Sequence, residues 1–193
     1  SAAVRELAEL SDRYEIDTNQ ILRRLIARRC IYGCDVNAVA VELARLALWI
    51  HTFVPGLPLG FLDHNMVVGN SLTGIGSTAE MLDETGSPTF FHGMVNNAIE
   101  AAVPAIDRMR HVNDASISDI VKARQASREA RDALRGVATM LDLYVLDRAG
   151  LLTENIADLG DTAAAAELHS REDVQLTLRE LCPLHFPIAF PEI

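Results

Sequence analysis

The chain has 193 residues, 49% of them apolar and 23% charged, which excludes a disordered tail and a fibrous protein. Its net charge of −10 excludes a basic footprint over the whole chain, leaving only a local basic face for nucleic acid. No run of eighteen apolar residues exists, and charges run through the first fifteen positions, so neither a membrane-spanning helix nor a signal peptide is expected. Aromatic residues are only 5%, too few for a typical β-sandwich core, so helices are favoured. The three cysteines, Cys30, Cys34 and Cys182, lack metal-ligand spacing and are read as buried, reduced thiols of a cytoplasmic protein.

In chain order, residues 2–12 read as a short helix. A second starts near Asp17 or Thr18 and runs through Ala27. Cys30-Ile31-Tyr32-Gly33-Cys34 then reads as a buried strand ending at Asp35. A strongly apolar helix follows from Ala38 to about Phe53, with Val39, Leu43, Leu46, Ile50 and Phe53 at helical spacing. Pro55, Gly56 and Pro58 end it. Met66-Val67-Val68 reads as a second strand that stops at Gly69-Asn70. The helix–strand–helix–strand rhythm of 22–70 is that of a doubly wound sheet, whose functional edge is at the carboxyl ends of its strands.

Beyond Gly74-Ile75-Gly76 the pattern turns almost wholly helical. A helix broken or kinked at Pro104 is expected over 90–111. The longest spans Ser116 to about Arg148, with Ile120, Ala123, Ser127, Ala130, Leu134, Val137, Leu141 and Val145 on its stripe and Gly150 as its stop. A last helix is expected from a Ser170 cap to Leu181. Three prolines predict an extended, non-helical tail over 183–191.

Two residues at the predicted strand ends are candidates for chemistry. Asp35 is placed to accept hydrogen bonds from vicinal ribose hydroxyls; it could equally cap the following helix. The Asn70 amide could accept from an exocyclic amine and donate to a ring nitrogen; it could equally be a turn residue. Asp63-His64 is a candidate loop tie, and the six scattered histidines suggest no metal site. No P-loop, G-x-S-x-G or G-x-G-x-x-G occurs. Arg124, Arg128, Arg131 and Arg135 step by four, three and four along one helix face. The segment 121–135 holds five basic and two acidic residues, a stripe that could meet a phosphate backbone. The plainer reading is a solvated face with an Arg128–Asp132 pair.

The run from Arg24 to Ile50, with Tyr32-Gly33-Cys34-Asp35-Val36-Asn37 at its centre, is more specific than its parts. It resembles the motif II region of large adenine-N6 DNA methyltransferases of restriction–modification and phage-defence systems, the type IIG-like family. Leu57-Pro58-Leu59-Gly60-Phe61-Leu62-Asp63-His64, then Val68-Gly69-Asn70-Ser71-Leu72, is similar to a following stretch of that family. The tail Phe186-Pro187-Ile188-Ala189-Phe190-Pro191-Glu192-Ile193 resembles a third. The resemblance covers 24–76 and the last ten residues.

It implies a helix-rich α/β chain with a partial Rossmann-like core. Residues 1–76 would be the motif II and III portion of the core, 77–182 a helical insertion, and 183–193 an extended tail. Asp35 would hold the ribose hydroxyls of S-adenosylmethionine, and Asn70 would contact its adenine in place of the family's usual Asp. The family's glycine-rich cofactor loop would precede residue 1, and its catalytic Asn/Asp-Pro-Pro-aromatic motif would follow Ile193. The chain is thus expected to be a central segment of a longer enzyme, unable to methylate DNA alone. It should bind S-adenosylmethionine poorly or not at all, with DNA and the rest of the parent as partners. Unpaired strand edges and an exposed helix face predict self-association, as a homodimer or a swapped arrangement. The competing reading is a helical interaction module with no small-molecule site; a strand–helix–strand over 30–70 separates the two.

Overall fold

The computed structural model describes residues 18–57, 62, 64–77, 80, 89–111, 116–156, 159 and 161–191. The helix expected over 2–12, Asp63, and the last two residues of the tail lie outside them. The described chain is helix-rich with a two-stranded parallel sheet. It divides into two compact units, one of residues 1–68 and 108–127, the other of 69–107 and 128–193.

In the first unit, α1 (Thr18–Cys30) leads into β1 (Gly33–Asp35). Then come α2 (Ala38–His51) and β2 (Met66–Val68). The strands pair in parallel, Gly33 with Met66, Cys34 with Val67 and Asp35 with Val68. The expected strand began at Cys30, but Cys30 closes α1. The cause lies in the buried Asn65. Its Nδ2 donates to the carbonyls of Arg28 and Ile31 at 2.8 and 2.9 Å, and its own carbonyl accepts from Gly33 N at 2.9 Å. That serves an otherwise open carbonyl in the last turn of α1, which lets the helix persist and starts the strand later. Cys30 is consequently exposed, and Cys34 and Cys182 are half-buried, so the expectation of three buried thiols fails. Replacing Asn65 with alanine strands two carbonyls and should cost about 2 kcal/mol, read as a lowered urea midpoint of the first unit.

Asn37 caps α2, its Oδ1 accepting from Val39 N at 2.9 Å and Ala40 N at 3.4 Å. The inner face of α2 carries buried Val41, and its Arg45 donates to the Met66 carbonyl. Leu48 and Trp49 pack on Ala27 and Leu62.

The second unit is helical. α3 (Thr89–His111) is continuous through Pro104, so the expected break there does not occur. Pro104 and Glu100, whose carbonyl the proline frees, are both exposed, so water can serve that carbonyl. The helix α4 (Ile117–Arg148) follows. Within the second unit, α4 buries two faces. Ala130 and Leu134 pack with Ala102, Ala105 and Ile106 of α3, and Val137 and Leu141 with Val95. Leu143 and Leu146 pack with α5 (Thr162–Ser170) and α6 (Glu172–Leu181) through Ala165, Leu168, Val174 and Leu178. The helix stops at Gly150, in the left-handed region at φ 67°.

Two local expectations are corrected here. Ser170 does not cap the last helix; it ends α5, donating to the Glu167 carbonyl, and Arg171 starts α6 without a side-chain cap bond. The cap of α5 is Asp161, whose Oδ1 accepts from Ala163 N and Ala164 N. The tail is not wholly extended either, because α7 (Phe186–Ala189) is a short helix. Pro187 sits in its first turn, where a missing N–H costs nothing.

Candidate functional site

Asp35 ends β1 and is exposed. Its Oδ1 accepts from Asn37 N at 2.7 Å, fixing the turn between β1 and α2. The cap of α2 is therefore Asn37, and the alternative of Asp35 as cap is replaced by a turn in which Asp35 braces the capping residue. An exposed carboxylate keeps further lone pairs free of the turn, enough to accept from two neighbouring hydroxyls.

Asn70 belongs to the second unit and follows Val68, the register partner of Asp35, by two positions. It is half-buried and already employed. Its Oδ1 accepts from Leu72 N at 3.0 Å, and its main-chain N donates to the Cys182 carbonyl at 2.6 Å. Its own carbonyl accepts from Leu184 N at 3.2 Å. The turn reading thus describes its local role, and an adenine amine would have to share an oxygen with Leu72.

The four arginines of the α4 stripe are all exposed. The expected Arg128–Asp132 pair is not formed. Asp132 is paired with Arg135, three residues on, which is equally within reach on a helix surface.

Sequence reading missed a cluster in the second unit. Asp142 of α4 accepts from two imidazoles: His169 Nε2 at 2.9 Å and His185 Nε2 at 3.1 Å. The tautomers follow from the opposite ring nitrogens. His185 Nδ1 accepts from Ile75 N at 3.2 Å, and His169 Nδ1 lies 3.2 Å from the Gln175 amide nitrogen. Both rings therefore carry their proton on Nε2 and donate it to the carboxylate. Burial pushes the Asp142 carboxyl up, but the hydrogen bonds from His169 and His185 outweigh it and hold the group below the usual aspartate range. No sequence signal could have found this cluster, since its members stand 27 and 43 positions apart.

The cluster fastens the tail. Residues 69–76 run beside 181–186, with Thr73 Oγ1 donating to the Leu181 carbonyl and Phe186 N to the Ile75 carbonyl. Next to this brace is a cavity of about 450 Å³ with Ile99, Ile106, Leu134, Val137, Phe186 and Phe190 in its lining. Its walls are mostly apolar, with Ser77 at one side, and Asp35, Asn70 and the arginine stripe contribute nothing to them.

Among the described residues, no His, Cys, Asp and Glu cluster could hold a metal ion, and no helix is long and apolar enough to cross a membrane. No family model, curated protein or solved structure matches the chain.

Proposed function

We propose that this chain is the ribose-binding portion of an S-adenosylmethionine-dependent adenine-N6 DNA methyltransferase of a restriction–modification or phage-defence system. The observation that carries this reading is the parallel strand–helix–strand of β1, α2 and β2, with an exposed carboxylate at the carboxyl end of β1. An all-helical 30–70 segment would have removed its basis. The cofactor, when bound, supplies a sulfonium methyl group for an adenine amine. Asp35 accepts from both ribose hydroxyls while Asn37 N holds its Oδ1, so the carboxylate is oriented before the ligand arrives. Asn70 enters this proposal through the family resemblance alone. The α4 arginines would neutralise DNA phosphates along an exposed face.

With Asp35 as the one group this geometry supplies for the ribose, the chain should bind S-adenosylmethionine weakly, at about millimolar concentrations or above. Amide NMR shifts of residues 33–37 should move on titration with the cofactor. Asp35→Asn should weaken that response about tenfold or more, the loss expected for charge-assisted hydrogen bonds. A response at 33–37 that Asp35→Asn leaves unchanged would sink the reading, because the ribose would then be held by something other than this carboxylate.

A further inference from the structure

α2 has two faces of different fate. Val41 is buried and Leu48 packs in the core of the first unit, while the opposite stripe is bare. Val39, Leu43, Leu46, Ile50 and Phe53 are 65, 61, 48, 62 and 43% exposed. They step by four, three, four and three, the spacing of a coiled-coil seam rather than of scattered surface residues. Phe53, just past the helix end, is fixed edge-on against Trp49, with ring centroids 5.2 Å apart.

We propose that this stripe is a homodimer interface, in which α2 pairs antiparallel with α2 of a second copy of this chain. Three features point to a second copy. A two-fold pairing needs a surface that complements itself. Here an antiparallel alignment sets Leu43 against Leu46 of the second copy and Val39 against its Ile50, with the reverse contacts repeating across the axis. Ala40 and Ala47 flank the seam on its Leu43 side, and their small side chains add little bulk at its edge. The seam also carries no charge, so a chain of net charge −10 meets its copy where like-charge repulsion is least, and the neighbouring Glu42 is already paired with Arg45. The stripe offers about 500 Å² per copy, or about 1,000 Å² across a pair, which reaches the lower bound for a specific interface and implies a weak, reversible dimer.

Sedimentation of the full chain between about 5 and 500 µM tests this, a range that brackets the dissociation constants of weak interfaces. The mass should rise from 21.1 kDa toward twice that value with concentration. Leu43→Lys and Leu46→Glu each place a charge on the seam at an exposed position, and each variant alone should stay monomeric with unchanged circular dichroism. Mixing the two should restore association, because the alignment sets Lys against Glu. A monomer throughout the range would overturn the proposal. So would association that survives both substitutions, which would move it to another surface such as Leu22 and Ile26 of α1, or a mixture that fails to associate. None of these outcomes depends on cofactor binding, so this inference and the methyltransferase reading can fail separately.

Discussion

Gly74→Ala should destabilise the second unit by about 4 kcal/mol, among the largest effects a single methyl group can have. A Cβ at Gly74 would lie 1.8 Å from the Leu184 carbonyl oxygen and 2.2 Å from its carbon. These are main-chain atoms and cannot rotate aside. Leu184 is also held on both sides, its N–H by the Asn70 carbonyl and the next residue by Asp142 and Ile75. The tail must therefore leave its groove, or the 69–76 segment must deform. Gly136→Ala is the matched control. Its Cβ would meet nothing within 4 Å, and the residue sits exposed inside α4, so alanine should stabilise by about 0.5–1 kcal/mol. Urea unfolding of the two variants should move in opposite directions. Amide exchange at Asn70 and Phe186 should accelerate in Gly74→Ala alone. A Gly74→Ala midpoint equal to the parent's would mean that the tail does not contribute to the stability of the second unit.

Asp142→Asn should cost about 2 kcal/mol, although it preserves shape. The carboxylate accepts from two Nε2–H groups; a carboxamide can accept from one and must donate to the other. One ring then has to move its proton to Nδ1. At His185 that would oppose Nδ1–H to the Ile75 N–H, a backbone donor that cannot turn round. At His169 the facing group is the Gln175 amide, which can rotate to offer its oxygen at the loss of its bond to the His169 carbonyl. The tautomer change should therefore fall on His169, visible in the nitrogen shifts of its ring, while His185 keeps its proton on Nε2. The change should also alter the acid limb of stability. The folded-state pKa of Asp142 lies below its unfolded value, so its contribution is present above the usual aspartate value of about 3.9 and is lost as pH falls through the folded value. Asp142→Asn should thus lose stability at neutral pH and flatten the decline below pH 4, whereas a role limited to packing would shift the whole curve uniformly.

Much of the architecture was legible because it depends on neighbours along the chain. The four-three spacing of α4 places Ala130, Leu134, Val137 and Leu141 on one buried stripe, as the sequence predicts. Met66-Val67-Val68 is a strand, and Gly150 ends its helix in the left-handed conformation. The errors come where a distant residue changes a local outcome. Asn65 prolongs α1 through Cys30, thirty-five positions earlier, and so delays β1. Proline spacing alone predicted an extended tail and overlooked that a proline in a first helical turn needs no N–H.

What the sequence by itself determined is the kind and order of elements, the parallel pairing implied by strand–helix–strand, and the placement of Asp35 at a strand end. Those rest on periodicity, capping chemistry and side-chain branching, all of which act within a few residues. The tertiary structure alone decided which apolar stripe is covered. The spacing of Val39, Leu43, Leu46 and Ile50 is as regular as that of α4, yet one stripe is bare and the other buried. It alone decided that His169 and His185 share one carboxylate, and that Gly74 lies against the Leu184 backbone. The physical reason is that burial and hydrogen-bond satisfaction are properties of partners, and these partners meet only after the chain has closed loops of many tens of residues.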